Sequence, residues 1–95
     1  MAGPVTLVTG ASGGIGGALA TMLAQQGHRL VLSGLDQSGL DALARDLAAQ
    51  GASVATLAGD VRERDLAQAC VDLAVERFGR LDHLVTGAGA SRPVP

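Results

Sequence analysis

The 95-residue sequence contains no tyrosine, no tryptophan and no lysine. Neither a tyrosine phenol nor a lysine ammonium group is therefore available for catalysis at any position. The single cysteine, Cys70, excludes a disulfide within the chain and is too few for a cysteine-based metal site. No group of residues has the spacing of metal ligands, so we expect no bound metal.

Long apolar runs and an excess of charge of one sign are missing as well. The N-terminus has no basic stretch, and its apolar run is interrupted at Gly10 and Gly13, which is unlike a signal peptide. No segment approaches the roughly 20 apolar residues of a membrane helix. The formal net charge of −2 argues against a nucleic acid or an anionic membrane as partner. We expect a cytoplasmic protein whose residues 1–95 form one small domain.

Short apolar runs alternate with amphipathic stretches along the chain. Strands are predicted at four places: 5–8, 30–32, 54–58 and 81–86. The predicted helices between them end at three glycines: Gly27, Gly51 and Gly79. Asp65 is the predicted N-cap of the third helix. The order β-α-β-α-β-α-β predicts an α/β protein, and right-handed crossovers favour a parallel sheet with strand order 3-2-1-4.

Five glycines lie between positions 10 and 17, directly after the first predicted strand. Gly10 can form a tight turn with positive φ, while Gly14 and Gly16 let an anion or a neighbouring strand approach the backbone. The following helix presents unpaired N–H groups and a partial positive charge, and Ser12 adds a hydroxyl donor. These features predict a diphosphate site, and the alternative is a flexible glycine-rich loop without a ligand.

Three segments resemble signatures of the short-chain dehydrogenase/reductase (SDR) family. Segment 9–16, TGASGGIG, resembles the family's TGxxxGIG motif, and segment 59–61, GDV, resembles its Asp-Val pair after the third strand. Segment 84–89, LVTGAG, resembles its LVNNAG segment, although Thr86 and Gly87 replace the two asparagines that pin the fourth strand. The resemblance covers the whole chain and implies a Rossmann-like three-layer sandwich, truncated relative to a full SDR subunit.

The resemblance also implies a nicotinamide dinucleotide cofactor. In the family, the Asp-Val pair holds the adenine ring, and small residues after the fourth strand flank the adenosine. The cofactor-binding residues expected here are Gly10, Ser12, Gly14, Ile15, Gly16, Asp36, Asp60, Val61, Thr86, Ala88 and Gly89.

The choice between NAD and NADP depends on the end of the second strand. The family's acidic position falls on Gly34 and its arginine position on Leu35, so neither determinant is present. Asp36 is placed either to accept a hydrogen bond from the ribose 2′-OH or to cap the next helix, and both interpretations stand. Gly13 occupies the loop position where NADP-dependent members often carry a basic residue, and these features together favour NAD.

The resemblance implies that catalysis in the SDR family uses a tyrosine as general acid and base. A lysine four residues later and a serine assist this tyrosine. Because the chain lacks tyrosine and lysine and ends before that region, we expect no catalytic residue in it. A triad of Ser12, His28 and Asp36 is excluded because His28 is predicted at the opposite end of the sheet. His28 and His83 are interpreted as exposed loop histidines, and Cys70 as packed core.

The favoured function is the nucleotide-binding part of an SDR oxidoreductase that transfers hydride between NAD(P)(H) and an alcohol or carbonyl compound. One alternative is a non-catalytic dinucleotide-binding module, and another is a domain for a different adenosine ligand such as S-adenosylmethionine, which the 9–16 spacing disfavours. Part of the sheet's second face is predicted to stay uncovered, and the fourth strand to leave a long unpaired edge. A homo-oligomer or the remainder of a longer chain is expected to cover both.

Overall fold

The structure is a computed structural model that describes residues 3–60 and 63–86. Strands and helices alternate along these residues, as predicted. The elements are β1 (Val5–Thr9), α1 (Gly14–Gln25), β2 (Arg29–Gly34), α2 (Gln37–Ala49), β3 (Val54–Ala58), α3 (Arg64–Phe78) and β4 (His83–Thr86).

The described strands form one parallel sheet in the order β3-β2-β1-β4, which confirms the predicted topology. β1 is central because its Leu7 pairs with Val31 of β2 on one side and with Leu84 of β4 on the other. The winding reverses between β1 and β4. In open α/β sheets, ligands bind in the crevice at this reversal, beyond the carboxyl ends of the strands.

Two apolar clusters cover the two faces of the sheet. One combines Val8, Leu30 and Leu32 of the strands with buried residues of α1 and α2. The other combines the alternate strand residues with Cys70 and Ala74 of α3; its strand members are Val5, Leu7 and Val31. Successive strand residues therefore face opposite layers, which gives the predicted three-layer sandwich.

Predicted boundaries differ from the structure at the two inner strands, at α3 and at β4. β1 extends to Thr9 rather than to residue 8, and β2 covers Arg29–Gly34 rather than 30–32. The N-cap of α3 is Glu63 rather than Asp65, which lies in the first turn of the helix where its charge still suits the helix dipole. β4 begins at His83 rather than at residue 81. The reason is that the Asp82 side chain, through Oδ2, accepts a hydrogen bond of 2.8 Å from the Val5 amide, which replaces a strand contact.

Asp82 fixes the amino end of β4 against β1. Its own amide donates to the Val5 carbonyl oxygen at 2.8 Å, and its Oδ1 accepts from the Arg80 guanidinium at 2.7 Å. The hydrogen bonds from Arg80 and then from Val5 hold the pKa of the Asp82 carboxyl below its usual value. Asp82 therefore has a structural role, anchoring the start of β4.

Asp82→Asn is expected to lower the free energy of unfolding at neutral pH, because the ionised carboxylate is favoured in the folded state. A group with a depressed folded-state pKa stabilises the protein above its unfolded-state pKa of about 4, and this contribution disappears as pH falls through the folded value. Denaturant unfolding of parent and variant between neutral and strongly acidic pH should show a gap that closes on acidification. Asp46→Asn, on the exposed surface of α2, is the control. A difference in unfolding free energy between parent and Asp82→Asn that does not change with pH would contradict the role of the carboxylate.

Candidate functional site

The loop between β1 and α1 makes a tight turn at Gly10, whose φ of 68° lies in the left-handed region. A Cβ is penalised there, so glycine is required by the backbone conformation. The Ala11 amide donates to the Ser33 carbonyl of β2 at 2.9 Å, and the Gly13 amide donates to the Gly10 carbonyl at 3.1 Å. Backbone hydrogen bonds therefore hold the loop in one shape over the carboxyl end of the sheet.

Gly16 lets α1 pack directly on this turn. A Cβ added at Gly16 would overlap the Gly10 carbonyl oxygen, and it would lie 2.7 Å from the carbonyl carbon and 3.0 Å from the Ala11 Cα. These neighbours are backbone atoms, which cannot rotate away as a side chain can. The beginning of α1 is thus placed by the absence of a side chain at residue 16.

Gly14 has the opposite surroundings. A Cβ added there would meet no heavy atom of the described residues within 4 Å, and the neighbouring Ile15 side chain is 66% exposed. The helix begins at Gly14 with Gly13 as N-cap, without a side-chain capping bond and without an acidic residue in the first turn. The unpaired N–H groups and the positive end of the α1 dipole therefore border open space.

Ser12 and Gly34 meet where β2 ends. A Cβ at Gly34 would lie 2.6 Å from Ser12 Oγ and 3.1 Å from Ser12 N. The Ser12 side chain therefore fills the space from which a side chain at position 34 would extend. Sequence analysis missed this contact, since the two residues are joined only by the folding of the loop onto β2.

Asp36 caps α2. Its Oδ1 accepts hydrogen bonds from the Ser38 amide at 3.2 Å and from Ser38 Oγ at 2.8 Å. The hydrogen bond from the Ser38 hydroxyl, followed by one from the Gly39 amide, lowers the pKa of the exposed Asp36 carboxyl. The capping interpretation is confirmed, and the ribose contact remains a prediction. Leu35 beside it is 75% exposed.

The other described candidates follow the carboxyl ends of β3 and β4. Asp60 comes two residues after β3, and its amide donates to Glu63 Oε1 at 3.3 Å. Thr86 ends β4 and pairs with Thr9 of β1. In a parallel sheet these ends share one edge with Gly10 and Asp36, so the structure brings the described candidates together. The candidates Val61, Ala88 and Gly89 lie outside the described residues.

The histidines lie at the amino end of the sheet, as predicted, so His28 forms no triad with Ser12 and Asp36. His28 is half-buried rather than exposed, because its Nδ1 and Thr6 Oγ1 share a hydrogen bond of 2.7 Å. His83 is exposed on β4. Cys70 belongs to the core, where burial raises the pKa of its thiol.

Two further findings concern the described residues only. Among residues 3–60 and 63–86, no three or more histidine, cysteine or carboxylate side chains are grouped around one possible metal position. None of the helices in this part of the chain has the length and hydrophobicity of a membrane-spanning segment.

A parallel sheet that reverses its winding beside a glycine turn and an open helix N-terminus is typical of nucleotide-binding α/β domains. The model of the short chain dehydrogenase family matches residues 4–95 of the chain. The chain belongs to this family.

Individual relatives agree with the assignment. The D-threitol dehydrogenase of Mycolicibacterium smegmatis is 40% identical over 93 residues, which cover 98% of this chain and 36% of that enzyme. The L-sorbose reductase of Gluconobacter frateurii, crystallised with NADPH and L-sorbose, superposes with a TM-score of 0.82 at 34% identity over 88% of this chain and 32% of the reductase. A short-chain dehydrogenase/reductase of Burkholderia phymatum, crystallised with NAD, gives a TM-score of 0.83 at 37% identity over 87% of this chain and 30% of its own. The chain thus spans about a third of the length of these relatives.

Gly16→Ala is expected to destabilise the protein by about 1–3 kcal/mol, the usual cost of forcing a methyl group against fixed atoms. Gly17→Ala is the matched control, because its Cβ would lie an ordinary 3.5 Å from the Ala11 carbonyl oxygen. Chemical unfolding of both variants measures the difference. Equal stability of the two variants would contradict the close approach of α1 to Gly10.

Proposed function

We propose that this chain is the cofactor-binding part of an oxidoreductase that transfers hydride between a nicotinamide dinucleotide and an alcohol or carbonyl compound. The observation that carries the proposal is the open, uncapped N-terminus of α1, held above the sheet by Gly10 and Gly16. Such a terminus suits the diphosphate of a dinucleotide. Membership of a dehydrogenase family favours this function over a non-catalytic module.

The diphosphate would be held by backbone rather than by side-chain cations. The chain has no lysine, so the N–H groups at residues 14–16 and the helix dipole supply the favourable electrostatics. The open space at Gly14 allows the anion to approach the backbone closely. Ser12 contributes a hydroxyl donor, and the exposed Ile15 side chain offers an apolar contact beside it.

The adenosine end of the cofactor would lie along the ends of β2, β3 and β4. Asp60 and Val61 are assigned to the adenine ring, and Asp36 to the ribose. Thr86, Ala88 and Gly89 are assigned to the adenosine on the β4 side. Asp36 and Asp60 follow the carboxyl ends of β2 and β3, and Thr86 is the last residue of β4, which supports this assignment.

NAD is proposed over NADP. Gly34 and Leu35 offer no cation to pair with a 2′-phosphate, and Asp36 carries an exposed carboxylate whose pKa is lowered, so it is ionised at neutral pH. A negative charge at this point repels a phosphate and accepts a hydrogen bond from a free 2′-OH. The relatives themselves include structures with NADPH and with NAD.

The acid–base groups of the reaction would come from polypeptide outside these residues. No tyrosine or lysine is present in the chain, and the chain corresponds to about a third of its relatives. An apolar cleft of about 370 Å³ lies between α3 and the β1–β4 pair, and Leu84 in it is 61% exposed. Further polypeptide of a longer enzyme, or a second copy of the chain, would cover this surface.

Titration with NAD tests the diphosphate site through Gly14→Ala. The added methyl group lies within 4 Å of none of the described neighbours, so stability should be unchanged or raised by up to about 1 kcal/mol. If the cofactor lies against this backbone, the dissociation constant for NAD should rise at least about tenfold, or about 1.4 kcal/mol. Gly17→Ala, which also adds a methyl group near the start of α1, should bind as the parent does. Calorimetric titration that finds the same affinity in all three proteins would contradict the proposed site.

Leu35→Arg tests the cofactor preference. Because residue 35 is exposed, the arginine should leave the fold intact and pair with a 2′-phosphate. We expect the parent to bind NAD more tightly than NADP, and the variant to bind NADP about tenfold more tightly than the parent does, or about 1.4 kcal/mol. Leu35→Gln, which adds polar length without charge, is the control. A parent protein that prefers NADP would overturn the assignment.

A further inference from the structure

The fold brings the two histidines of the chain together. His28 precedes β2 and His83 begins β4, yet their ring centroids lie 6.0 Å apart with an interplanar angle of 40°. The cofactor-binding residues lie at the opposite, carboxyl edge of the sheet. Four residues of extended β1, or about 13 Å, separate Thr6 from the turn at Gly10. The histidine pair is therefore a separate feature, which the proposed cofactor site does not use.

Thr6 of β1 connects the two histidines. Its side chain is fully buried, its Oγ1 shares the 2.7 Å hydrogen bond with His28 Nδ1, and its pairing partner in the sheet is His83. Paired residues of neighbouring strands present their side chains on the same face. A buried hydroxyl thus fixes the His28 ring beside the strand position that carries His83.

The pair is accessible from outside. His83 lines one cleft of about 390 Å³, and His28 lines another of about 270 Å³. The carboxylate of neighbouring Asp82 is engaged by the Val5 amide and by Arg80. Asp82 therefore contributes negative charge nearby rather than a free ligand oxygen, and the imidazoles are the two nitrogen ligands available.

We propose that His28 and His83 together bind one divalent transition-metal ion of the Zn²⁺, Ni²⁺ and Cu²⁺ class, with water completing its coordination. Imidazole nitrogen suits these ions. A metal-bound histidine commonly donates its other ring N–H to an oxygen acceptor, which fixes the ring and its tautomer. With Nδ1–H donating to Thr6 Oγ1, Nε2 of His28 is the nitrogen that binds the metal, and Thr6 is a positioning residue.

The spacing of the rings agrees with this assignment. Metal–nitrogen distances of about 2.0–2.1 Å place the centroids of two imidazoles on one ion roughly 5–6.5 Å apart, depending on the angle at the metal. The observed 6.0 Å lies within this range. Because His83 is exposed, its side chain can adjust to the preferred angle. The bound ion would link the residue before β2 to the first residue of β4 across β1 and would stabilise the folded state.

Zinc titration of the chain, prepared without a polyhistidine tag, tests the proposal. At about pH 7.5, where ordinary imidazoles are mostly neutral, competition with a chromophoric chelator should show one Zn²⁺ per chain. His28→Ala and His83→Ala should each weaken binding at least tenfold, and Zn²⁺ should raise the melting temperature of the parent but not of these two variants. Cys70→Ser should bind as the parent does, which excludes the thiol as a ligand.

The role of Thr6 is tested by a pair of variants. Thr6→Val has nearly the same shape but no hydroxyl, and it should weaken Zn²⁺ binding about tenfold, as is common when the partner of a metal-bound histidine is lost. Thr6→Ser keeps the hydroxyl and should restore the affinity. A measurement on the parent protein alone is also available: Ni²⁺ should broaden the NMR signals of both imidazole rings before those of any other residue. Zn²⁺ affinity unchanged in His83→Ala, or no binding at millimolar Zn²⁺, would overturn the site.

Discussion

The close approach of Gly16 to the Gly10 carbonyl is the contact on which the site depends. It allows α1 to begin directly above the end of β1, the central strand of the sheet. Any side chain at residue 16 would push the helix away from the turn. The positive end of the helix dipole would then leave the point where the winding of the sheet reverses, which is where an anionic ligand gains most from it.

The two ends of the sheet perform different tasks. At the carboxyl end, Gly10 forms the turn, Gly16 lets α1 pack on it, and Gly14 leaves the backbone open. The proposed diphosphate site would use N–H groups there and would need no side-chain cation. At the amino end, Asp82 holds β4 to β1, and Thr6 holds His28. The proposed cofactor binding at one edge therefore relies on missing side chains, whereas anchoring at the other relies on side chains that reach across strands.

The topology and the glycine turn could be predicted because each is encoded by neighbouring residues. Apolar runs, helix-ending glycines and the crossover rule determine the strand order, and positive φ at Gly10 follows from a glycine directly after a buried strand. The family resemblance also rested on contiguous segments. The placement of the described candidates at the carboxyl end of the sheet was therefore open to sequence reasoning.

What sequence analysis missed depends on contacts between distant residues. The N-cap of α3 shifted from Asp65 to Glu63, and β4 began later because the Asp82 side chain took the place of a strand contact. The contact of Ser12 with Gly34 and the burial of His28 arise only when the loop and the strands are assembled. Asp36 was undecided between two roles, and its bonds to Ser38 show the capping role.

The most direct test of the central claim is an NMR titration of backbone amides with NAD. If the glycine turn and the start of α1 hold the diphosphate, the largest chemical-shift changes should fall on the amides of residues 12–17, with smaller ones after β2 and β3. Changes confined to the amino end of the sheet or to the cleft beside α3, with the amides of residues 12–17 unmoved, would contradict it.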